Sequence, residues 1–326
     1  MDLLALRCFQ VVARHEHVSR AAEELRVAQP SVSRMIARLE TELGVPLFDR
    51  RGRRIHLNRH GAAFLRRVDR ALRELDDGRR ELADAADGAG GTVTVATETL
   101  LTLAGVLARF RTAHPDVEVR LRQSAADVMV RQLRDREVDL CFASQPLAGP
   151  ALSSVVLLRE EVLLAVPVGH RLAGREQVAV TELDGELFVT PRPGHWQRVL
   201  ADRLFAEAGV RPVVACEGDE PGAVLELVAA GLGAALLPAM ARGSGPRGSV
   251  AWVRLAAPGC RRELRLVRDG DSYRTEAARR FGEFAARHFR RTAHDGAHGS
   301  DSPGRTGAGA ERGDAPPPAG PPTGRP

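Results

Sequence analysis

Apolar residues recur at helical spacing in three stretches near the start of the chain. They predict helices at residues 2–14, 20–25 and 30–43, separated by tight turns. The second helix is short, and Ser19 is its predicted cap because a serine hydroxyl can accept a hydrogen bond from an amide of the first turn. Three short helices joined in this way are typical of a helix-turn-helix unit.

The third predicted helix has two unlike faces. One is an apolar stripe of residues three and four positions apart, made of Val32, Met35, Ile36 and Leu39. The other face carries small, polar and basic residues, namely Pro30, Ser33, Arg34, Ala37 and Arg38. Pro30 suits the first turn because it lacks an amide hydrogen, and it leaves the Gln29 side chain free at the helix entrance. An ordinary surface helix has the same pattern, but nothing bulky on this face prevents close approach to another surface.

Arginine is concentrated just after the third helix. Residues 49–57 alternate as a β-hairpin does, with Gly52 at the tip. Four arginines of this hairpin lie within five residues: Arg50, Arg51, Arg53 and Arg54. Residues 1–60 hold eleven arginines against seven acidic residues, whereas the whole chain has a net charge of only +5 and no lysine. A local basic patch indicates a polyanionic partner, and the planar guanidinium suits phosphates and guanine edges.

A long amphipathic pattern occupies residues 59–88. Its apolar residues are spaced alternately by three and four, as in a heptad seam: Leu65, Val68, Leu72, Leu75, Leu82 and Ala86. Arg79 takes the one missed position and weakens the seam. A single amphipathic helix lying on a domain is the alternative, but the number of turns over which the phase is kept favours a dimerising linker helix. The glycine-rich residues 87–91 predict the helix end and a hinge.

Strands and helices alternate beyond Gly91. The alternation occurs twice and predicts two α/β lobes of comparable size, with continuous apolar strands typical of a sheet covered on both faces. Lobe I is expected at about 91–165 and 264–290, and lobe II at about 166–263. The segment 291–326 is rich in Gly, Pro, Ala and Ser, so we expect it to be disordered because it can bury little apolar surface.

Composition restricts the class of protein. The chain has 326 residues, 44% of them apolar, which is normal for a globular protein of two or three domains. The sequence shows neither a membrane-spanning run nor a signal peptide, so we expect a cytoplasmic protein without membrane association. The four cysteines are scattered without zinc-site spacing: Cys8, Cys141, Cys216 and Cys260. We expect them to be reduced and buried, with redox sensing by Cys141 or Cys216 as the alternative.

Motifs of enzymes are missing from the sequence. Residues 231–236 lack the third glycine of a dinucleotide loop, and residues 243–249 lack the lysine that follows a phosphate-binding loop. There is no nucleophile elbow and no HExxH motif, and His15 and His17 have no companion ligands. We therefore expect no enzyme activity, no catalytic residue, no metal site and no cofactor.

Several blocks of the sequence resemble LysR-type transcriptional regulators. Residues 19–57 resemble the winged helix-turn-helix of that family, and shorter blocks in the second half resemble its effector domain: 108–121, 133–144, 166–174 and 227–238. The resemblance covers roughly residues 1–290. It departs from the family where Leu57 is followed by Asn58 rather than threonine, although Asn58 can still cap the linker helix. Ala104 stands where the family often has proline.

The resemblance implies a fold and a set of partners. The expected fold class is an N-terminal all-α winged helix-turn-helix with a long linker helix, followed by a C-terminal α/β effector domain of two Rossmann-like lobes, as in periplasmic binding proteins. The expected domains are 1–58 for DNA binding, 59–88 for the dimerising linker helix, 91–290 for effector binding and 291–326 for the tail. Expected partners are double-stranded promoter DNA, a small-molecule effector in the interlobe cleft that modulates promoter binding, and other copies of the chain, as a dimer and then a dimer of dimers. RNA polymerase is a further candidate partner.

In this interpretation the polar face of the third helix enters the major groove. Gln29 and Arg34 suit base edges, an amide for adenine and a guanidinium for guanine. Ser31 and Ser33 can bind bases or phosphates, and Pro30 permits close approach. Arg38 is expected on the DNA backbone. Arg53, together with Arg51 or Arg54, is expected in the adjacent minor groove or on phosphates.

Loops that join strands to helices supply the candidate effector site, because free amides lie there. The candidates are Thr97, Thr99, Ser124, Ser144, Gln145, Thr190, Arg192 and Glu217. For each hydroxyl, a helix cap is the alternative role. Arg192 favours an anionic effector, whereas Glu98, Glu217 and Glu220 favour a cationic or amphoteric one. A small carboxylate or amino acid is therefore a hypothesis only.

The alternative function is that of a two-lobed small-molecule binding protein, or a redox sensor, without sequence-specific DNA binding. Such a protein would have no use for the first 60 residues. Deletion of residues 1–58 separates the two functions, because a regulator would lose DNA binding and keep effector binding.

Overall fold

The computed structural model describes residues 1–51, 54–87, 90–149, 151–244 and 248–298. The first three elements are the predicted helices α1 (Leu3–His15), α2 (Val18–Leu25) and α3 (Gln29–Leu43). The prediction of Ser19 as the cap of α2 is wrong, because the helix begins one residue before it. Glu16 lies in the left-handed region (φ 46°) and turns the chain directly into α2, so that the cap falls on His17.

A two-stranded hairpin packs beside the three helices. Its strands β1 (Phe48–Arg51) and β2 (Arg54–Leu57) are antiparallel, as predicted, and the predicted tip residue Gly52 lies outside the described residues. Two buried aromatic contacts join the hairpin and the next helix to α1: the ring of Phe9 lies 5.5 Å from that of Phe48 and 5.4 Å from that of Phe64. One apolar core therefore holds the helices and the hairpin together.

The long helix α4 (Arg59–Asp87) follows. Asn58 caps it as predicted, since its Oδ1 accepts hydrogen bonds from the amides of His60 and Gly61, each at 2.9 Å. Val68 and Leu72 are buried against the helix-turn-helix core. The first half of the predicted heptad seam therefore packs against the helix-turn-helix core of the same chain.

The second half of α4 is attached to the next domain. Arg80 donates hydrogen bonds to the Asp139 carboxylate at 2.8 Å and to the Arg136 carbonyl at 2.7 Å. Asp84 accepts from the Tyr273 hydroxyl and the Glu276 amide, each at 2.9 Å. The linker helix therefore has a fixed position relative to the domain that follows.

Lobe I consists of β3 (Gly91–Thr97), α5 (Leu101–Ala113), β4 (Val117–Gln123), α6 (Ala126–Arg134), β5 (Leu140–Ala143), β6 (Leu152–Pro167), β12 (Arg261–Asp269) and α9 (Glu276–His298). Its sheet has the strand order β4-β3-β5-β12-β6. Strands β3, β4 and β5 are parallel, and β12 runs antiparallel to β5 and β6. Helices α5 and α9 cover one face around Phe110 and Phe281, and α6 covers the other around Met129.

Lobe II consists of β7 (Gln177–Val178), β8 (Leu187–Thr190), α7 (Trp196–Ala208), β9 (Val213–Glu217), α8 (Pro221–Ala229), β10 (Ala235–Pro238), β11 (Val250–Leu255) and 3-10 helices at Val180–Leu183 and Ala239–Gly243. It shares the long strand β6, whose second half pairs with β10 and β11. A bridge between Phe188 and Ala234 connects the β8–β9 pair to the start of β10. Helix α7 packs on one face of this sheet and α8 on the other.

Helix α9 reaches into the segment that was expected to be disordered. It ends at His298 rather than near residue 290, because each further residue adds a backbone hydrogen bond to a helix that is already formed. Residues 299–326 lie outside the described residues. No helix in the part of the chain that the structure describes is both long enough and apolar enough to cross a membrane.

Candidate DNA-binding surface and interlobe site

Helix α3 has the two faces that the sequence predicts. Val32, Ile36 and Leu39 are buried against α1 and α2, and Met35 packs beside them half-buried. The helix enters with Pro30 in its first turn and ends at Gly44, which has a positive φ of 71°. An apolar stripe anchored in this way presents the opposite face outward in one fixed orientation.

The exposed face carries donors that are held only by weak local bonds. Gln29 is exposed, and its Nε2 donates to the Ser33 hydroxyl at 3.3 Å. The Arg34 Nε donates to the Pro30 carbonyl at 3.4 Å, one turn earlier. Both distances are long for hydrogen bonds, so the two side chains can exchange these partners for an incoming acceptor. Ser31 is half-buried on the same turn.

The predicted backbone contact Arg38 is exposed but already paired, with its Nε 3.1 Å from Glu42 on the next turn. Such an exposed pair is weak and can be broken by a phosphate. Arg53 lies outside the described residues. Arg51 and Arg54 pair across the hairpin through their backbones, and their side chains lie outside what the structure describes.

Two acidic residues that the sequence did not single out position the hairpin beside α3. Glu40 accepts hydrogen bonds from the amides of Leu47 and Phe48, at 2.7 and 3.2 Å. Glu16 accepts from the Leu57 amide at 2.9 Å, and this bond lowers the pKa of its carboxyl. Each strand of the hairpin is thus tied to a helix by a carboxylate.

A buried carboxylate lies at the carboxyl end of the lobe I strands. Glu98 is 4% exposed and accepts hydrogen bonds from the Ser144 amide at 2.7 Å and the Gln145 Nε2 at 2.9 Å. Burial raises the pKa of Glu98, while these bonds and the charge of Arg262 oppose the rise. Glu98 therefore holds the β5–β6 loop rather than facing an open cleft.

Arg262 of β12 connects the two lobes. It is 2% exposed, and burial lowers its pKa. On the lobe I side its guanidinium donates to the hydroxyls of Ser144 and Thr102, at 2.7 and 2.8 Å. It pairs with Glu160, its neighbour across the strands on β6, at 3.2 Å. On the lobe II side it lies 5.0 Å from the centroid of the Trp196 ring. A buried cation thus joins residues of both lobes at their junction.

Three further hydrogen bonds cross the cleft directly. Glu220 of lobe II accepts from the Gln123 Nε2 at 2.7 Å and from the Leu100 amide at 3.3 Å. Gln145 of lobe I donates to the Gly194 carbonyl at 3.1 Å. The lobes are therefore in direct contact at the mouth of the cleft.

The structure brings together some of the predicted effector residues and separates others. Thr97, Thr99, Ser144 and Gln145 lie around Glu98 and Arg262, with Thr99 linked to Thr102 by a 2.9 Å hydrogen bond. The three candidates of lobe II are placed elsewhere. Arg192 is exposed and pairs with Asp219 at 3.1 Å, Glu217 is exposed 3.6 Å from Arg198, and Thr190 lines a pocket on lobe II with Arg198. Ser124 is buried, and its amide donates to the Thr97 carbonyl.

Sequence reasoning missed Arg262, although its strand carried a signal. Along β12 the buried positions alternate as Arg262, Leu264 and Leu266, so the arginine shares the inward face with two leucines. A charged residue on the apolar face of a strand indicates a buried partner. That partner, Glu160, also lies in a strand that is otherwise rich in apolar residues.

Among the described residues, no group of His, Cys, Asp and Glu side chains could hold a metal ion. Cys8, Cys141 and Cys260 are buried, and burial raises the thiol pKa of Cys8 and Cys260 to about 11 and that of Cys141 further. Thiols with such pKa values stay protonated at neutral pH and are poor nucleophiles.

The burial of His195 predicts that the stability of the effector domain depends on pH. It is 5% exposed at the start of α7, and burial lowers its pKa from 6.5 to about 4. As the pH falls below 6.5, His195 binds a proton in the unfolded chain but not in the folded chain, because its pKa is lower in the folded state. We expect the free energy of unfolding to drop by about 2 kcal/mol between pH 7 and pH 5 from this group. Urea unfolding followed by the fluorescence of Trp196 and Trp252 measures the drop.

The variant His195→Asn is the matched comparison, since asparagine can keep the cap and does not titrate. Its unfolding free energy should fall less over the same pH range. Equal pH dependence in both proteins would contradict the assignment.

Comparison with known sequences identifies the family. Residues 3–62 match the bacterial regulatory helix-turn-helix protein, lysR family, and residues 86–290 match the LysR substrate binding domain. The chain belongs to the LysR family of transcriptional regulators. The expected family and fold class are thereby confirmed. This LysR-family regulator has a DNA-binding helix-turn-helix domain and a substrate-binding domain.

Individual relatives agree with this assignment. The transcriptional dual regulator GltC of Bacillus subtilis is 33% identical over 293 residues, covering 89% of this chain and 98% of GltC. The HTH-type transcriptional regulator YybE of the same organism is 33% identical over 292 residues, covering 89% and 99%. Full-length CbnR in complex with its target DNA is 25% identical and superimposes with a TM-score of 0.51, covering 89% of this chain and all of CbnR. LysR-type regulators bind promoter DNA and small-molecule effectors and form oligomers.

Proposed function

We propose that this regulator reads its operator with the exposed face of α3. The observation that carries the proposal is the outward pair Gln29 and Arg34, held only by long local hydrogen bonds on a helix whose other face is buried. An amide and a guanidinium are the side chains that suit adenine and guanine edges in the major groove. Ser31 and Ser33 would add contacts to bases or phosphates, and Arg38 would contact the DNA backbone. The arginines of the hairpin would enter the adjacent minor groove or hold phosphates.

Selection of bound genomic fragments by the purified protein tests this proposal. We expect the recovered fragments to share one motif with two related half-sites, separated by about one helical turn or more. Deletion of residues 1–58 serves as the control, since it should abolish recovery and leave the effector domain folded. Fragments without any shared motif would contradict sequence-selective binding and favour the alternative of a small-molecule binding protein.

We infer that two copies of the chain pair through the second half of α4. Leu75 and Leu82 lie on the predicted seam and are 51% and 74% exposed, whereas Val68 and Leu72 are already buried within the chain. Exposed leucines in one stripe of a helix favour a helical partner with the same stripe. A dimer of dimers, contact with RNA polymerase and a cytoplasmic location complete the proposal, all three by resemblance to the family.

We expect Leu82→Glu to weaken the dimer by about tenfold or more, because burying a leucine contributes roughly 1.5–3 kcal/mol and a charge cannot enter the seam. Sedimentation velocity across a dilution series measures the change. The variant Glu81→Ala is the control, since the exposed Glu81 precedes Leu82 but lies off the seam and should leave the dimer unchanged. Equal dissociation of wild type and Leu82→Glu would contradict pairing through this stripe.

The interlobe junction around Arg262 is the proposed effector site. Support comes from its position at the carboxyl ends of the lobe I strands, where the hydroxyls of Thr99, Thr102 and Ser144 meet. Movement of lobe I would be transmitted to the DNA-binding domain by α4, which is bonded to lobe I through Arg80 and Asp84. The experiment is a footprint of a selected fragment with and without effector candidates, and a footprint that no compound alters would contradict modulation.

A further inference from the structure

A carboxylate of the protein itself accepts the shortest of the three direct hydrogen bonds across the cleft. Glu220 precedes α8 in lobe II, and its Oε1 reaches two donors of lobe I. One is the Gln123 Nε2 at 2.7 Å, at the end of β4. The other is the Leu100 amide at 3.3 Å, at the residue that caps the start of α5. A side chain of one lobe thus satisfies an otherwise open helix amide of the other.

These two donors form the kind of site that a free carboxylate would occupy. A helix amide, a side-chain amide and the positive end of the helix dipole all favour a negatively charged oxygen. The side chain that fills the site is that of Glu220, which belongs to the opposite lobe of the cleft. Glu220 therefore stands where the acidic group of a small ligand could stand.

The groups around Glu220 act on its charge in both directions. Burial raises the pKa of its carboxyl and the charge of Asp219 adds to the rise, while the hydrogen bonds from the Leu100 amide and the Gln123 side chain oppose it. Glu98 and Glu160 are further acids at the junction, and both are already engaged. The Glu98 oxygens accept from Ser144 and Gln145 within lobe I, and Glu160 pairs with Arg262. The acidic side chains of the cleft are thus internal partners of donors and do not form a pocket for a cation.

We propose that the Glu220 carboxylate acts as an intramolecular ligand that holds the two lobes together, and we call this contact the Glu220 clasp. An effector bearing a carboxylate competes with Glu220 for the Leu100 amide and the Gln123 side chain. The clasp keeps α8 against α5 when effector is absent. A carboxylate that takes its place frees lobe II from this contact. The inference rests on the proposed function only in placing the effector in this cleft.

Hydrogen exchange of the Leu100 amide in the full-length protein tests the clasp without DNA or an identified effector. The variant Glu220→Ala removes the acceptor, and we expect the Leu100 amide to exchange about tenfold faster or more, as for the loss of a hydrogen bond to a charged group. Sodium acetate supplies the missing carboxylate and should restore the protection in this variant. Sodium chloride at the same ionic strength should not restore it.

Glu217→Ala is the matched control, because it removes one acidic residue three positions away whose carboxylate faces Arg198 of the same lobe. Its Leu100 amide should exchange at the wild-type rate. Unchanged exchange in Glu220→Ala, or equal acceleration in Glu217→Ala, would overturn the clasp. Acceleration that acetate and chloride affect alike would overturn the carboxylate subsite. These outcomes do not depend on operator binding. A failure of the proposed function would instead appear in the footprint experiment, so the two failures can be distinguished.

Discussion

Replacing Arg262 by alanine is expected to lower the free energy of unfolding of the effector domain by about 3–5 kcal/mol, the usual penalty for breaking a buried ion pair. The substitution leaves the Glu160 carboxylate, which is 9% exposed, without its cation. It also removes hydrogen bonds to Thr102 and Ser144 and the contact with the Trp196 ring. Urea unfolding followed by tryptophan fluorescence measures the loss.

Two comparisons make this result specific. Arg261→Ala removes an exposed arginine from the same strand, and we expect it to change the unfolding free energy by less than about 0.5 kcal/mol. The double variant Arg262→Met with Glu160→Gln removes both charges, so it should recover part of the stability. Equal stability of Arg262→Ala and wild type would show that the buried cation does not hold the lobes together.

The contacts of Arg262 also show which part of the structure the sequence alone does not predict. Its partners Glu160 and Thr102 are separated from it by 102 and 160 residues along the chain. Such a meeting depends on the antiparallel pairing of β12 with β6, which no local pattern of residues specifies. The sequence predicted two lobes and polar loop residues, but it could not show that Glu98 and Glu220 were already bonded to donors of lobe I.

Local periodicity predicted the DNA-binding half much better. The helices α1 and α3 begin within a residue of their predicted starts, and the apolar stripe of α3 is the face that packs. This success has a physical reason, since helix spacing and a proline in the first turn act within a few residues of one another. The prediction of Ser19 as the cap of α2 is wrong because the spacing of apolar residues does not reveal the left-handed turn at Glu16.

The seam of α4 illustrates an intermediate case. The heptad spacing was correct as a pattern, but Val68 and Leu72 bury against the helix-turn-helix core. Only tertiary packing could divide one stripe between an internal contact and the exposed residues Leu75 and Leu82. The predicted dimer therefore depends on a shorter seam than the sequence suggested.

The double substitution Gln29→Ala with Arg34→Ala is expected to remove most of the discrimination between operator and random DNA. Each well-placed side chain contributes about 1–3 kcal/mol of base discrimination, so the pair should account for a factor of about 30 or more. Binding to random DNA should fall only slightly, because it depends mainly on phosphate contacts. Both side chains are exposed, so the fold of α3 should not change.

Arg38→Ala is the matched control for this double variant. It removes one exposed arginine from the same helix, which we place on the DNA backbone. Its affinity should fall by a similar factor for operator and random DNA, and the salt dependence of binding should become less steep.

The central claim is that the outward face of α3 selects the operator, and competition binding tests it most directly. The measured quantity is the ratio of affinities for a selected genomic fragment and a scrambled duplex of equal length, at one fixed salt concentration. We predict that Gln29→Ala with Arg34→Ala lowers this ratio by a factor of about 30 or more, while Arg38→Ala leaves it near the wild-type value. A double variant that keeps the wild-type ratio would contradict selection of the operator by α3.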